Sequence, residues 1–210
     1  LRDASLNTEH GDIVIGPHAE VMEGCRIRGP FALGEDAVLR MGTLVYGPTT
    51  VGQSCKVGGE LSNVVVHDFS NKAHGGFLGN SVLGSWCNLG AETTCSNLKN
   101  TYSEIAEWST SANGFVGKGR QFCGLIMADH SKTAIHTAFN TASVVGAMSN
   151  VFGASTPPKF LPAFSWGCEG EVHDVERAIG TARRVMARRD KSLTKDEEDR
   201  IRAAFEARLT

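Results

Sequence analysis

Seven histidines, His10, His18, His67, His74, His130, His136 and His173, are the side chains of this sequence best suited to taking a proton near neutral pH, because an unperturbed imidazole titrates at about 6.5. His74 stands apart by its surroundings. Ala73, Gly75 and Gly76 flank it, so a substrate can reach the ring without meeting a neighbouring side chain, which suits general-base work. Lys72, two positions earlier, could place a positive charge close to it. His18 reads as a turn residue. His130 and His136 lie in ADHSKTAIH, where either a groove lining or plain surface decoration fits. His67, His74, His130 and His136 raise a rival reading, zinc held between subunits, against which no His-x4-His pair is present. The six cysteines, Cys25, Cys55, Cys87, Cys95, Cys123 and Cys168, contain no CxxC pair and read as reduced residues of a cytoplasmic protein's core.

Whatever positions these groups is written in a repeat of six. Counting from Ile15 gives Ile15, Val21, Ile27, Leu33, Leu39, Val45, Val51 and Val57, all aliphatic. Four residues after each come Ala19, Cys25, Phe31, Ala37, Thr43, Thr49, Cys55 and Leu61, mostly small. An α-helix turns about 600° in six residues and would scatter the aliphatics around its surface; a period of two does not produce a period of six either. A three-sided solenoid does, with one hexapeptide per face, the aliphatic inward and the small residue near the corner. Gly16, Gly34 and Gly52 mark the same corner one coil apart. The fold expected is therefore all-β, a left-handed parallel β-helix over residues 1–167, about six coils and roughly 30 Å tall at ~4.8 Å per coil.

The period slips after Val57 and resumes with Val65, Asn71, Phe77, Leu83, Leu89 and Cys95 as the expected inward set. It breaks for a long excursion at Asn97–Arg120, then returns as Met127, Thr133, Phe139, Val145 and Val151, with Ser131, Thr137, Ser143 and Ser149 in the small slot. Pro157, Pro158 and Pro162 end it. A helical appendage follows over 168–210: Glu171–Arg189 puts Val172, Val175, Ala178, Ile179, Ala182, Val185 and Met186 on one face, and Thr194 with Glu197 forms a capping box opening a helix to about Leu209. These helices cover the open end of the prism or serve subunit contact.

A net charge of −2 over 210 residues gives no electrostatic reason to expect nucleic acid or an anionic membrane as partner, and no apolar run approaches the ~20 residues that span a bilayer. The chain opens at Leu1 without an initiator Met, which leaves room for an upstream segment.

The hexapeptide period resembles that of the hexapeptide-repeat acyltransferases. The stretch NKAHGGFLGNSVLGSWCNLGAETTCSNLKN looks like the acetyltransferase half of the bifunctional N-acetylglucosamine-1-phosphate uridylyltransferase/glucosamine-1-phosphate acetyltransferases. GLIMADHSKTAIHTAFNTASVVGAMSNVFG and FLPAFSWG resemble the same half in a divergent, sugar-nucleotidyltransferase-like branch. The resemblance runs from about Gly34 to Gly167. It implies a homotrimer with sites between prisms, acetyl-CoA as co-substrate and glucosamine 1-phosphate as acceptor in UDP-N-acetylglucosamine synthesis. It points to His74 as the catalytic base, followed three positions later by Phe77 where the family has a substrate-site Tyr. It also implies Arg40 of LRMG, Asn88 and Asn97 as substrate contacts, Ile135 and Gly153 as backbone contacts for the pantetheine arm, and a nucleotidyltransferase domain upstream of Leu1. Lys132 and Lys159 are candidates for the coenzyme's phosphates. The sequence departs from the family in VGGELSN, where Gly58, Gly59 and Glu60 replace a segment bearing a phosphate-contacting Lys; Lys56 or Lys72 compensates, or the acceptor differs. The alternatives kept are acyl transfer to another sugar or nucleotide-sugar, and a non-catalytic oligomerising domain of a sugar-phosphate nucleotidyltransferase.

Overall fold

A chain that buries one aliphatic side chain per hexad makes one short strand per hexad, and each strand finds its hydrogen-bonding partner one coil on. The computed structural model, which describes residues 3–208, shows this as a parallel β-helix with three strand columns. The first stacks Ser5–Asn7, Arg26–Arg28, Leu44–Tyr46 and the leading halves of Glu60–Val66 and Phe77–Leu83, continued by Thr94–Cys95 and Ala138–Phe139. The second runs in one parallel register through Val14, Ala32, Thr50, Val65, Val82, Ile126, Val144 and Phe160. The third stacks Glu20, Val38, Lys56, Asn71, Asn88, Lys132, Asn150 and Trp166. Those eight levels exceed the six coils expected, because a count in sixes passes over Ser5–Asn7, the Leu61 face behind a shortened corner, Phe160–Leu161 and Ser165–Trp166; at ~4.8 Å per level the outermost strands lie roughly 34 Å apart.

Val21, Ile27, Leu33, Leu39, Val45, Val51 and Val57 fill the interior, as do Met127, Thr133, Phe139, Val145 and Val151 with their small partners Ser131, Thr137, Ser143 and Ser149. In between, the expected phase holds at Leu83, Leu89 and Cys95, which are buried, and fails from Val65 to Phe77. Val65 is 39% exposed, and Asn71 and Phe77 face outward, while Leu61, Val66, Lys72 and Leu78 point inside. Two corners have shed residues. Leu61 follows Val57 by four positions through Gly58 and Gly59, and Val66 and Leu83 follow Leu61 and Leu78 by five. The second shortening rests on Asn63 and Asn80, whose φ of 56° and 49° turn the corner with a single left-handed residue, a conformation asparagine tolerates.

The corner between the second and third columns is turned at every level by a residue at φ 55 to 61°: His18, Asp36, Ser54, Phe69, Trp86, His130, Met148 and Phe164. From Asp36 onward each backbone N–H in the column donates to a carbonyl one level back, from Asp36 N to Pro17 O at 3.0 Å through Phe164 N to Ala147 O at 2.8 Å, which offsets the strain. Phe69 stacks on Trp86 with centroids 4.2 Å apart, and Trp86 on His130 at 6.1 Å. His130 is thus a rung of a corner ladder, and burial pushes its pKa down to about 4.

The expected helix over Glu171–Arg189 begins later. Glu171–Val172 is a strand antiparallel to Ser165–Trp166, leaving Val172 45% exposed. Asp174 then caps helix α1 (Val175–Ala187) by accepting from Arg177 N at 2.9 Å, and Ala178, Ile179, Ala182 and Met186 are buried. Helix α2 (Lys195–Ala207) opens on the expected Thr194–Glu197 capping box; Leu209 lies outside the described residues. The helices close over Met148 and Phe164, with Ile201 and Phe205 against them and Arg183 paired to Glu198. Arg189 reaches back to Ser54 O and Asn71 Oδ1, both at 3.1 Å, so α1 lies along the third column.

The excursion folds onto its own prism. Ala106–Ser109 and Gly114–Gly117 form an antiparallel hairpin, Trp108 stacks on Phe160 at 3.8 Å, and Lys159 Nζ donates to Ala106 O at 3.2 Å. All six cysteines are free. Burial lifts the thiols of Cys55 and Cys95 to about 12 and that of Cys87 to about 11, which leaves them inert.

Candidate functional site

The shortened corner at Gly58–Gly59 shapes the surroundings of His74. With the backbone drawn in, a notch of about 530 Å³ opens between levels, lined by Arg40, Met41, Gly58, Gly59 and His74 among others. Lys72 is what fills the space behind it. In the repeat it stands where an aliphatic residue belongs, and it is 1% exposed. Its Nζ donates to Gly58 O at 3.1 Å, His74 O at 2.9 Å and Gly75 O at 3.0 Å. All three ammonium donors are therefore spent on main-chain carbonyls. This corrects the expectation of Lys72 as a substrate contact: its charge faces inward and pins the backbone on both sides of His74. Burial, opposed by Glu92, lowers its pKa to about 8. A Cβ on Gly59, at φ +83°, would lie 2.6 Å from Gly76 O and 2.9 Å from Lys72 Nζ, so the glycine in VGGELSN makes room for this peg.

A larger groove of about 790 Å³ adjoins on the other side of His74. Its floor is the outward row of the third column, Lys56, Asn71, Asn88 and Lys132 in successive levels. Phe69 and Trp86 of the corner ladder form one edge, His74, Gly90, Ala91 and Ile135 the other, and Thr181, Val185, Arg188 and Arg189 lie across it. Four cations line this groove and no carboxylate does. Lys132 Nζ donates to His130 O at 2.7 Å, and burial lowers its pKa.

His74 is exposed and its ring makes no hydrogen bond among the described residues. It rims both cavities, sharing the notch with Arg40 and the groove with Asn88 and Ile135. Phe77 and Asn97 are placed elsewhere. They meet over Gly79 on the first column, where Asn97 Nδ2 donates to Asn80 Oδ1 at 2.7 Å, and neither lines a cavity that His74 lines. Gly153 is an exposed turn at φ +90° outside both cavities. Lys159 is held by the excursion, beneath the Phe115 ring, and His136 occupies a left-handed turn at φ 55°. Among the described residues no group of three or more His, Cys, Asp or Glu could hold a metal ion. Arg188 and Arg189 carried no signal in the sequence; in the floor row Lys56, Asn88 and Lys132 each precede an expected inward residue by one, whereas Asn71 was itself expected inward.

Fold and groove together define a parallel β-helix with a histidine-edged, cation-lined cleft. Over 103 residues the chain is 32% identical to the bifunctional protein GlmU of Rippkaea orientalis (strain PCC 8801 / RF-1), covering 48% of this chain and 18% of that protein. The matched stretch thus spans less than a fifth of its relative's length. A solved hexapeptide transferase family protein from Anaplasma phagocytophilum is 11% identical, covers 100% of this chain and 96% of its own, and superposes with a TM-score of 0.44, a likeness too loose to add to the register above. No family model matches. The parallel solenoid and the GlmU similarity fit the hexapeptide-repeat acyltransferase resemblance read from the sequence. Among the described residues no helix is long and apolar enough to cross a membrane.

Proposed function

We propose that this protein is an acyltransferase that moves an acetyl group from acetyl-CoA to the amine of an amino-sugar phosphate, with glucosamine 1-phosphate as the first acceptor to test. The observation that carries this reading is His74, an accessible imidazole on the rim of two cavities, with Arg40 beside it in one and Asn88 and Ile135 in the other. The amine attacks the thioester carbonyl as the imidazole takes its proton. The C–S bond then breaks, and the coenzyme leaves as a thiol, taking up that proton. Arg40 supplies a cation for the sugar phosphate, Asn88 an amide for its hydroxyls, and the backbone at Ile135 and Gly153 holds the pantetheine.

A homotrimer completes the site in this reading, with Phe77 and Asn97 on the first column serving a seam between prisms. The second column supports such a seam, since its outward row of Val14, Ala32, Thr50, Val65, Val82, Ile126, Val144 and Phe160 carries no charge over eight levels. A second acceptor, another sugar or nucleotide-sugar, is favoured by one observation: Lys72 is turned inward and VGGELSN offers no other lysine at the notch. Thiol release from acetyl-CoA, measured against a panel of amino sugars, their phosphates and nucleotide-sugars, separates the two. If no acceptor releases thiol, the acyl-transfer reading is abandoned in favour of a non-catalytic prism; if His74→Ala is as active as wild type, His74 is not the base.

A further inference from the structure

Among the described residues Lys56, Lys132, Arg188 and Arg189 form no ion pair, although the chain as a whole is slightly acidic. All four converge on one groove without a carboxylate in its lining. Arg188, at the C-cap of α1, complements the negative end of that helix. That accounts for one positive charge on the roof but not for Lys56 and Lys132 on the floor, three levels apart, which is roughly 14 Å at ~4.8 Å per level. Arg189 and Lys132 are tied to protein oxygens and so hold fixed positions, whereas Lys56 and Arg188 are exposed and free to meet a ligand. The volume, about 790 Å³, is that of a site for a nucleotide-sized molecule, and the Phe69–Trp86 stack gives it an aromatic edge.

We propose that the C-terminal segment builds a phosphate-binding wall in cis. Arg188 and Arg189 close over the Lys56–Lys132 row to grip the phosphate ester of a substrate whose reacting end lies at His74. This rests on the acyl-transfer reading for the role of His74 alone. It assigns the segment after α1 a part in binding beyond covering the end of the prism. The phosphate ester could belong to the acyl donor's diphosphate or to the phosphorylated sugar, and both carry the charge this groove complements.

Calorimetric titration of the full chain with ADP, coenzyme A and glucosamine 1-phosphate tests it, with adenosine as the uncharged control. The variants are Lys56→Ala, Arg188→Ala and the double, whose exposed side chains leave the fold intact; a thermal melt checks this. Wild type is expected to bind at least one phosphorylated probe and to lose affinity as salt rises. Each single variant is expected to weaken binding about tenfold, and adenosine to bind at least tenfold more weakly than ADP. Loss confined to ADP and coenzyme A identifies the donor's diphosphate, and loss confined to glucosamine 1-phosphate identifies the sugar phosphate; either supports the wall. Unchanged binding of every phosphorylated probe by the double variant overturns it, as does a wild type that binds none of them. Binding that depends on Lys56 and Arg188 with no thiol release from any donor leaves the wall standing and removes acyl transfer. Thiol release at wild-type KM for both substrates in the double variant does the reverse.

Discussion

An imidazole accepts a proton from an attacking amine only if it is reachable, uncharged at the working pH and held at a fixed angle to the acceptor. His74 meets the first condition through Gly75 and the notch left by Gly58 and Gly59. The third depends on Lys72, which fixes the main chain beneath it. His74→Ala is expected to lower kcat by about 10²- to 10⁴-fold in the thiol-release assay, with the melting temperature little changed, because the side chain is exposed and its ring makes no hydrogen bond among the described residues. Lys72→Met fills the inward position with an unbranched apolar side chain but releases three carbonyls. It is expected to lower kcat at least tenfold, with KM less affected. The ammonium titrates near 10.5 in the unfolded chain and at about 8 when folded. Between those values the unfolded chain binds more protons, so wild-type stability rises with pH over that window. Denaturant unfolding at pH 7.5 and 10 checks this, and the Lys72→Met chain is expected to lack that rise.

At the scale of elements, the corner ladder and the hairpin decide how firmly the later coils are held. His130 is depressed from about 6.5 to about 4 by burial. Its contribution is fully present above pH 6.5 and is lost as pH falls towards 4, up to about 3 kcal/mol. His130→Phe keeps the stack on Trp86 and is expected to flatten the acid limb of a stability profile between pH 6.5 and 4. Trp108 ties the hairpin to Phe160 at 3.8 Å; Trp108→Ala is expected to expose residues 97–120 to proteolysis while strands of the second column keep their hydrogen-exchange protection. The hexad period showed that these elements exist, since each aliphatic at six-residue spacing marks one strand. It did not show where a corner loses residues. Gly58–Gly59, Asn63 and Asn80 are ordinary turn residues in sequence, and only their stacking against neighbouring levels reveals that one left-handed residue replaces a longer turn.

For the whole molecule, the uncharged outward row of the second column is the surface a trimer would cover. Val82→Lys, placing a charge mid-row, is expected to shift a trimer to monomers in light scattering while leaving the monomer folded; a chain that is monomeric already in the wild type removes the intersubunit site. The sequence by itself determined a three-sided parallel solenoid, its inward residues from Val21 to Val57, at Leu83, Leu89 and Cys95 and again from Met127, and the capped terminal helix, because each follows from local periodicity or from immediate neighbours. Only the tertiary structure decided that Lys72 points inward, that Phe77 and Asn97 sit apart from His74, and that Arg188 and Arg189 close a cationic groove some 130 positions along the chain from the Lys56 they face. A repeat fixes which side chains share a column, whereas the return of α1 along the third column rests on contacts between residues too distant in the chain for any period to connect.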